Sequence, residues 1–235
     1  MTTTFITGAN KSLGYETARR LVELGHTVLV GARDESRGRA AAEALGARFV
    51  QIDVTDDASV AAAAADVAAH EGTVDVLVNN AGVVGTHAAA ADITAADALE
   101  VFDVNVFGII RVTHAFLPLM KASANPVVVN VTSGLGSFEA THDDSRVESR
   151  VTAPLYTSSK SAVTMLTTQY AKGLLEAVPG IKVNAVDPGY TATDFNGHSG
   201  TQTVTEGTDA IVEMATIGVD GPTGAFRDRQ GVVGW

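Results

Sequence analysis

Tyr156 and Lys160 stand four residues apart in the run Tyr156-Thr157-Ser158-Ser159-Lys160. At the start of a helix this spacing puts both side chains on one face, aimed at the same small space. A tyrosine hydroxyl, with an ordinary pKa near ~10, is a poor acid–base catalyst at neutral pH. A close ammonium favours the phenolate and brings that proton within reach. Alone, the pair reads most simply as a surface Tyr and Lys at helical spacing. Its weight comes from its company: Ser133 at the end of an apolar run, Asn105 inside a long helical stretch, and a glycine-rich turn near the N-terminus.

That turn, Thr7-Gly8-Ala9-Asn10-Lys11-Ser12-Leu13-Gly14, follows a short apolar run and leads into a helix-like segment. A strand-to-helix turn rich in glycine lets the backbone approach a pyrophosphate, whose charge meets the free N–H groups of the helix N-terminus. The ATP-type phosphate loop is excluded, because Asn10 stands where its glycine should precede the lysine.

The elements that must position these residues alternate along the 235-residue chain. Strands are expected at 2–6, 27–30, 49–52, 74–78, 127–131, 182–186 and, less clearly, 224–226. Helices are expected at 13–24, 36–45, 58–70, 95–121, 159–178 and 205–217. Runs such as Val127-Val128-Val129 are continuously apolar, as strands covered on both faces must be. The pattern predicts an α/β chain: one domain with a doubly wound parallel sheet of about seven strands and helices on both faces. No repeat or linker divides it. Ser137 to Thr152 breaks the rhythm with a polar, charged stretch and reads as a surface insertion or lid.

Composition narrows the function. Lys and Arg total 16 against 27 Asp and Glu, a formal charge of −11 that repels phosphate backbones and anionic lipid, so neither a nucleic acid nor a membrane is an expected partner. There is no cysteine, which removes disulfides, thiolate metal sites and cysteine nucleophiles. The six histidines show no zinc spacing and no metal is expected; His87 and His198 are candidates for the pocket mouth. The N-terminus shows no leader-like pattern and no run reads as a membrane span, so a cytoplasmic location is expected.

Taken in order, the glycine turn, Asn79-Asn80-Ala81-Gly82, Asn105-Val106-Phe107-Gly108, Ser133, the Tyr156–Lys160 run and Pro188-Gly189 make the chain resemble the short-chain dehydrogenases/reductases, in their carbonyl-reductase-like branch. The resemblance spans Thr7 to Thr193 and implies a Rossmann-type fold, with a cofactor half at about 1–130 and a catalytic part at about 131–235. It implies reversible hydride transfer between a nicotinamide and a ketone or aldehyde. Tyr156 would act as general acid/base, Ser133 would bond the substrate oxygen, Lys160 would hold the nicotinamide ribose, and Asn105 would anchor a proton-relaying water. It also assigns cofactor contacts to Gly8, Asn10, Ser12, Leu13 and Gly14 in the turn. Further contacts fall to Asp53 and Val54 at the adenine, to Asn80, Ala81 and Gly82 along the adenosine wall, and to Pro188, Gly189, Thr191 and Thr193 at the carboxamide. Ser12 departs from the family, which has glycine there, so its backbone must take a conformation that serine tolerates.

Charge selects the cofactor. An NAD-preferring enzyme places an acid at the end of the second strand; here that position is Ala32, followed by Arg33, with Lys11 in the turn. Two cations and no acid favour the 2′-phosphate of NADP(H). Asp34 is the one residue that could be mistaken for the missing acid. Two rival functions are a redox sensor that holds NADP(H) without turnover and an enoyl reductase. The sensor would be free to lose Tyr156, and the enoyl reductases space their tyrosine and lysine further apart. Val83, Val84, Leu135, Phe138, Tyr190 and Phe195 are expected to line a pocket for small hydrophobic carbonyl compounds. The insertion's Glu139, Asp143, Asp144 and Glu148 read as a solvated acidic face lying over the helices that relatives use for pairing, so a monomer is expected, with a dimer next.

Overall fold

The computed structural model describes every residue of the chain except His87. Six parallel strands alternate with helices: β1 (Thr3–Thr7), β2 (Thr27–Ala32), β3 (Arg48–Gln51), β4 (Val76–Asn79), β5 (Val127–Val131) and β6 (Lys182–Val186). A C-terminal hairpin, β7 (Phe226–Asp228) and β8 (Gly231–Val232), completes one sheet in the order β3-β2-β1-β4-β5-β6-β7-β8. All neighbours pair in parallel except β7 with β8. The order reverses between β1 and β4, and the crevice beyond the carboxyl ends of strands at such a switch point is where ligands of this architecture bind.

The apolar runs serve both faces of the sheet. Ile6, Val30 and Val129 face one core with Leu21 of helix α1 (Ser12–Glu23), Ala42 of α2 (Glu35–Leu45) and Ile211 of α9 (Asp209–Ala215). Phe5, Leu29 and Val128 face the other, with Val67 of α3 (Asp57–His70), Phe116 of α5 (Gly108–Met120) and Ala171 of α7 (Pro154–Gly173). All five residues of β5 and of β6 are buried, the burial expected of a sheet covered on both sides.

Four expected elements are redrawn. The sheet has eight strands because Asp228 turns the chain: its Oδ1 accepts the N–H groups of Gln230 and Gly231, and Gly231 takes a φ of 136°. The helix expected at 95–121 is α4 (Ala95–Phe102), a π-helical turn over Asp103–Phe107, and α5. The last helix is split at Thr208 into α8 (Val204–Gly207) and α9, where Arg20 bonds the Thr205 carbonyl, Thr208 and Asp209. Helix α7 begins at Pro154 rather than Ser159, with proline in the first turn, where its missing N–H costs nothing. Finally, the segment Ala95–Met120 is long and apolar enough to pass as a membrane span, contrary to expectation. In this fold its Val112, Phe116 and Met120 are buried against the sheet.

The stretch 137–152 folds as α6 (Phe138–His142) and a 3₁₀ turn over Val147–Arg150. Its main packing is with the 3₁₀ turn Gly134–Gly136, and it is strapped to the C-terminus. The Ser137 hydroxyl donates to the Gly234 carbonyl at 2.6 Å, and Glu139 N–H donates to the Trp235 carbonyl at 3.2 Å. Leu99, Phe107, Ile110 and Met165 are exposed on α4, the π turn, α5 and α7.

Candidate active site

The glycine turn closes β1 onto α1. Gly8 has a φ of 66°, and Ser12 is left-handed too, at 50°, a region that costs a non-glycine residue on the order of 1–2 kcal/mol. Ser12 is thus held in a backbone region that serine adopts only at a cost, contrary to the expectation. No side chain caps α1, whose N-cap is Lys11, so the N–H groups of its first turn are free for an anion. A Cβ on Gly14 would come within 2.4 Å of the Gly8 carbonyl and 2.9 Å of the Ala9 Cα, both backbone. Gly14→Ala is expected to cost about 2 kcal/mol by forcing the turn apart, read as a lowered melting temperature with weakened nucleotide binding.

Residues beyond β4 brace the turn. Asn80 Nδ2 donates to the carbonyls of Thr7 and Gly8, and the Thr7 hydroxyl accepts from Asn80 and Ala81 N–H. Asn79, buried, ties β4 to Asn130 of β5, which donates onward to Thr167 of α7. A Cβ on Gly82 would meet Asn105 Oδ1 at 3.3 Å and Lys160 Nζ at 3.6 Å, so Gly82 faces both side chains.

Asn105 lies at the centre of the π-helical turn, fully buried. Such single-turn bulges recur at functional sites because they re-aim a side chain. Here the amide accepts from Val83 N–H at 2.8 Å and donates to the Val83 carbonyl at 2.9 Å and to Ser159 Oγ at 3.0 Å. Lys160, 5% exposed, donates to the Val131 carbonyl at 2.9 Å, with its Nζ 5.6 Å from the centre of the Tyr156 ring. The Ser133 hydroxyl caps the Gly134–Gly136 turn and lies close enough to Tyr156 to favour its ionised form. Phe195 sets its ring edge-on to Tyr156 at 5.6 Å.

The electrostatics correct one expectation. Tyr156 is held above the ordinary range: burial is the larger cause, the negative charge of Asp187 adds to it, and Ser133 opposes it. No lowering by Lys160 offsets these causes; burial draws the lysine itself down to about 8, against the pull of Asp187. Unfolded lysine keeps its proton to higher pH, so between about 8 and its unfolded value near ~10.4 stability rises with pH, and below about 8 the buried ammonium is a full penalty. Lys160→Met, which removes that charge at similar length, is expected to gain on the order of 1–2 kcal/mol at neutral pH after loss of the Val131 bond. Thermal melts should show the gain fading as pH climbs from about 8 and gone above ~10, with activity abolished throughout.

On the cofactor side, Arg33 is 77% exposed and stands 3.8 Å from Asp53, whose Oδ1 is held by Thr55. Lys11 departs from expectation: its ammonium is bonded at 3.0 Å to Asp194 across the cleft rather than turned to Arg33. His198 joins the same carboxylate at 3.0 Å. Val54 is buried against Gly108, and its carbonyl accepts from Arg111. Beyond β6, Pro188 leads into Gly189, with a φ of 67°. The buried Thr191 hydroxyl donates to the Pro188 carbonyl, its backbone N–H donates to the Gly189 carbonyl and its own carbonyl accepts from Asn196, so the backbone contact expected of it is already used within the chain, and Thr193 caps the 3₁₀ turn Asp194–Asn196.

Of the expected pocket residues, Phe195 reaches Tyr156; Val83 is tied to Asn105; Tyr190 is bonded to Ser199; and Phe138 projects, 68% exposed, from α6. Glu148 is not part of a solvated face: it is paired with Arg146 and turned inward to Gly134. His87 lies outside the described residues. Among the described residues no group of three His, Asp or Glu side chains is placed to hold a metal ion. Asp187, buried between the Ser133 and Pro188 turns, is the residue the sequence reading missed.

The free N–H groups of α1 and the two left-handed residues of the turn suit the pyrophosphate of a dinucleotide. Comparison with known proteins gives the family. The short chain dehydrogenase family model matches residues 2–203. The short-chain dehydrogenase anuI of Penicillium roqueforti is 36% identical over 225 residues, covering 91% of this chain and 88% of its own. A (+)-neomenthol dehydrogenase of Capsicum annuum is 28% identical, covering 97% and 95%. The NADPH-bound carbonyl reductase from chicken fatty liver superposes with a TM-score of 0.87 at 27% identity, covering 99% of this chain and 98% of that one. With the fold, the glycine turn and the Ser133, Tyr156 and Lys160 group in their places, this chain belongs to the short-chain dehydrogenases, as a single-domain α/β oxidoreductase.

Proposed function

We propose that this oxidoreductase reduces a hydrophobic ketone or aldehyde to the alcohol, reversibly, with NADPH. The observation that carries the reading is the convergence of Tyr156, Ser133 and Lys160 beside the glycine turn, with Arg33 in place of an acid after β2. Gly8, Ser12, Gly14 and the α1 N-terminus would hold the pyrophosphate; Arg33 the 2′-phosphate; Asp53 and Asn80 to Gly82 the adenosine; Lys160 the ribose; and Pro188 to Thr193 the carboxamide. A nicotinamide held there would supply the hydride for the carbonyl carbon.

The chain does the rest. As negative charge builds on the carbonyl oxygen, Ser133 donates a hydrogen bond to it and Tyr156 transfers its proton. The elevated proton affinity of Tyr156 keeps it protonated at neutral pH, which suits a donor to an alkoxide-like oxygen. Phe195 and the apolar side chains near it would exclude water and favour hydrophobic substrates. A cytoplasmic enzyme acting as a monomer or dimer completes the reading. The test is NADPH consumption across aliphatic, aryl and quinone carbonyls: turnover on a subset supports it, and none on any class with folded, NADPH-binding protein overturns it.

A further inference from the structure

After β6 the chain doubles back on itself. It leaves Pro188, rounds the 3₁₀ turn Asp194–Asn196 and returns at Thr201 and Gln202, whose N–H groups both donate to the Tyr190 carbonyl. The Gln202 carbonyl accepts in turn from Ala192, so Thr191 and Gln202 lie side by side as one β-bridge. Gly200 permits the close return: a Cβ there would fall 2.1 Å from the Thr191 carbonyl carbon. The bridge sets the Gln202 side chain against Gly189, where a Cβ would come within 2.8 Å of both Oε1 and Nε2. Gly189, left-handed at a φ of 67°, thus leaves its side-chain space to an amide.

Much of this loop's polar backbone is matched from within. The Pro188 carbonyl accepts from the Thr191 hydroxyl, Gly189 N–H donates to Asp187, Thr191 N–H donates to the Gly189 carbonyl, and the Thr191 carbonyl accepts from Asn196. Gln202 Oε1 is an exception. It is shielded from solvent and, among the described residues, has no hydrogen-bond partner. A buried acceptor without a donor loses its hydration and gains nothing in return, so it marks a place where a ligand can supply the missing N–H. The group that the proposed function brings to Pro188–Thr193 is a primary carboxamide, which carries such an N–H, whereas both backbone groups of Thr191 are already engaged. We propose that Gln202 is a further cofactor-positioning residue: its Oε1 accepts a hydrogen bond from the carboxamide N–H of the nicotinamide, and so fixes the way the ring faces the carbonyl to be reduced. The inference rests on the proposed cofactor and adds to it a residue that the glycine turn, the Asn80 to Gly82 wall and the Pro188 to Thr193 segment do not include.

The probes are NADP⁺ and its 3-acetylpyridine analogue, which keeps the carbonyl on the ring but has a methyl group where the carboxamide has its NH₂. Affinity for each is measured by titration calorimetry on the wild type and on Gln202→Met, which keeps the length of the side chain and removes the amide. The wild type is expected to bind NADP⁺ about threefold to tenfold more tightly than the analogue, the effect of one hydrogen bond. Gln202→Met should lose that preference through weaker binding of NADP⁺, with the analogue unchanged. Its melting temperature without cofactor should rise by about 2–4 °C, because the variant no longer buries an unpartnered acceptor; loss of a merely structural residue would lower it. A folded Gln202→Met that keeps the full preference overturns the proposal, as does an equal loss for both ligands with a lowered melting temperature. If the variant does not fold, equal affinity of the wild type for the two ligands overturns it. None of these readings needs turnover: a protein that shows the expected preference yet reduces no carbonyl refutes the assigned reaction and leaves the role of Gln202 standing. Should NADP⁺ not bind at all, both fall together.

Discussion

Tyr156→Phe is expected to lower carbonyl reduction by at least ~100-fold while NADPH binds nearly as before, the usual scale for loss of a positioned general acid. The fold should tolerate the change. The phenyl ring keeps its edge-on contact with Phe195, and the lost hydroxyl is one whose ionised form burial already penalises. The loss should appear in kcat and in kcat/KM alike, since the proton moves only as the carbonyl oxygen gains charge. Near wild-type turnover in the variant would remove Tyr156 from the chemistry.

Arg33→Ala is expected to weaken NADPH binding by roughly tenfold to a hundredfold, the loss of one charge-assisted contact to phosphate, and to leave NADH almost unchanged. Arg33 is well suited to such a test because it is largely exposed and its neighbour Asp53 keeps its bonds to Thr55, so removing the guanidinium leaves no buried group unpartnered. Lys11→Ala should cost less, since the ammonium must first be released from Asp194 before it can serve a phosphate. Equal affinity of the wild type for both cofactors, measured by fluorescence titration, would contradict the reading of Ala32 and Arg33.

What was legible in the sequence was local. Val127 to Val131 announces a strand covered on both faces because it is valine throughout but for Asn130, and the turn from Thr7 to Gly14 announces itself by glycine spacing. Tyr156 and Lys160 are legible because a helix fixes their relation whatever lies around it. The features that sequence did not disclose depend on contacts between distant segments. Lys11 turns to a carboxylate 183 residues away, and Asp187 is an unremarkable acid before Pro-Gly until Gly134 and Glu148 are folded onto it. The π turn at Asn105 hides inside a helical pattern, since one extra residue in a turn barely disturbs apolar periodicity. The terminal hairpin is short and polar, and its signal is a single Asp228–Gly231 turn.

The most direct test of the proposed reaction follows the hydrogen. The protein is incubated with NADPH carrying deuterium at the transferred position of C4 and an accepted α,β-unsaturated ketone, and the product is located by NMR. Hydride transfer to the carbonyl, with Tyr156 supplying the second proton from solvent, predicts deuterium on the carbinol carbon of an allylic alcohol. Deuterium on the β-carbon of a saturated ketone would make the enzyme an enoyl reductase and contradict the assignment.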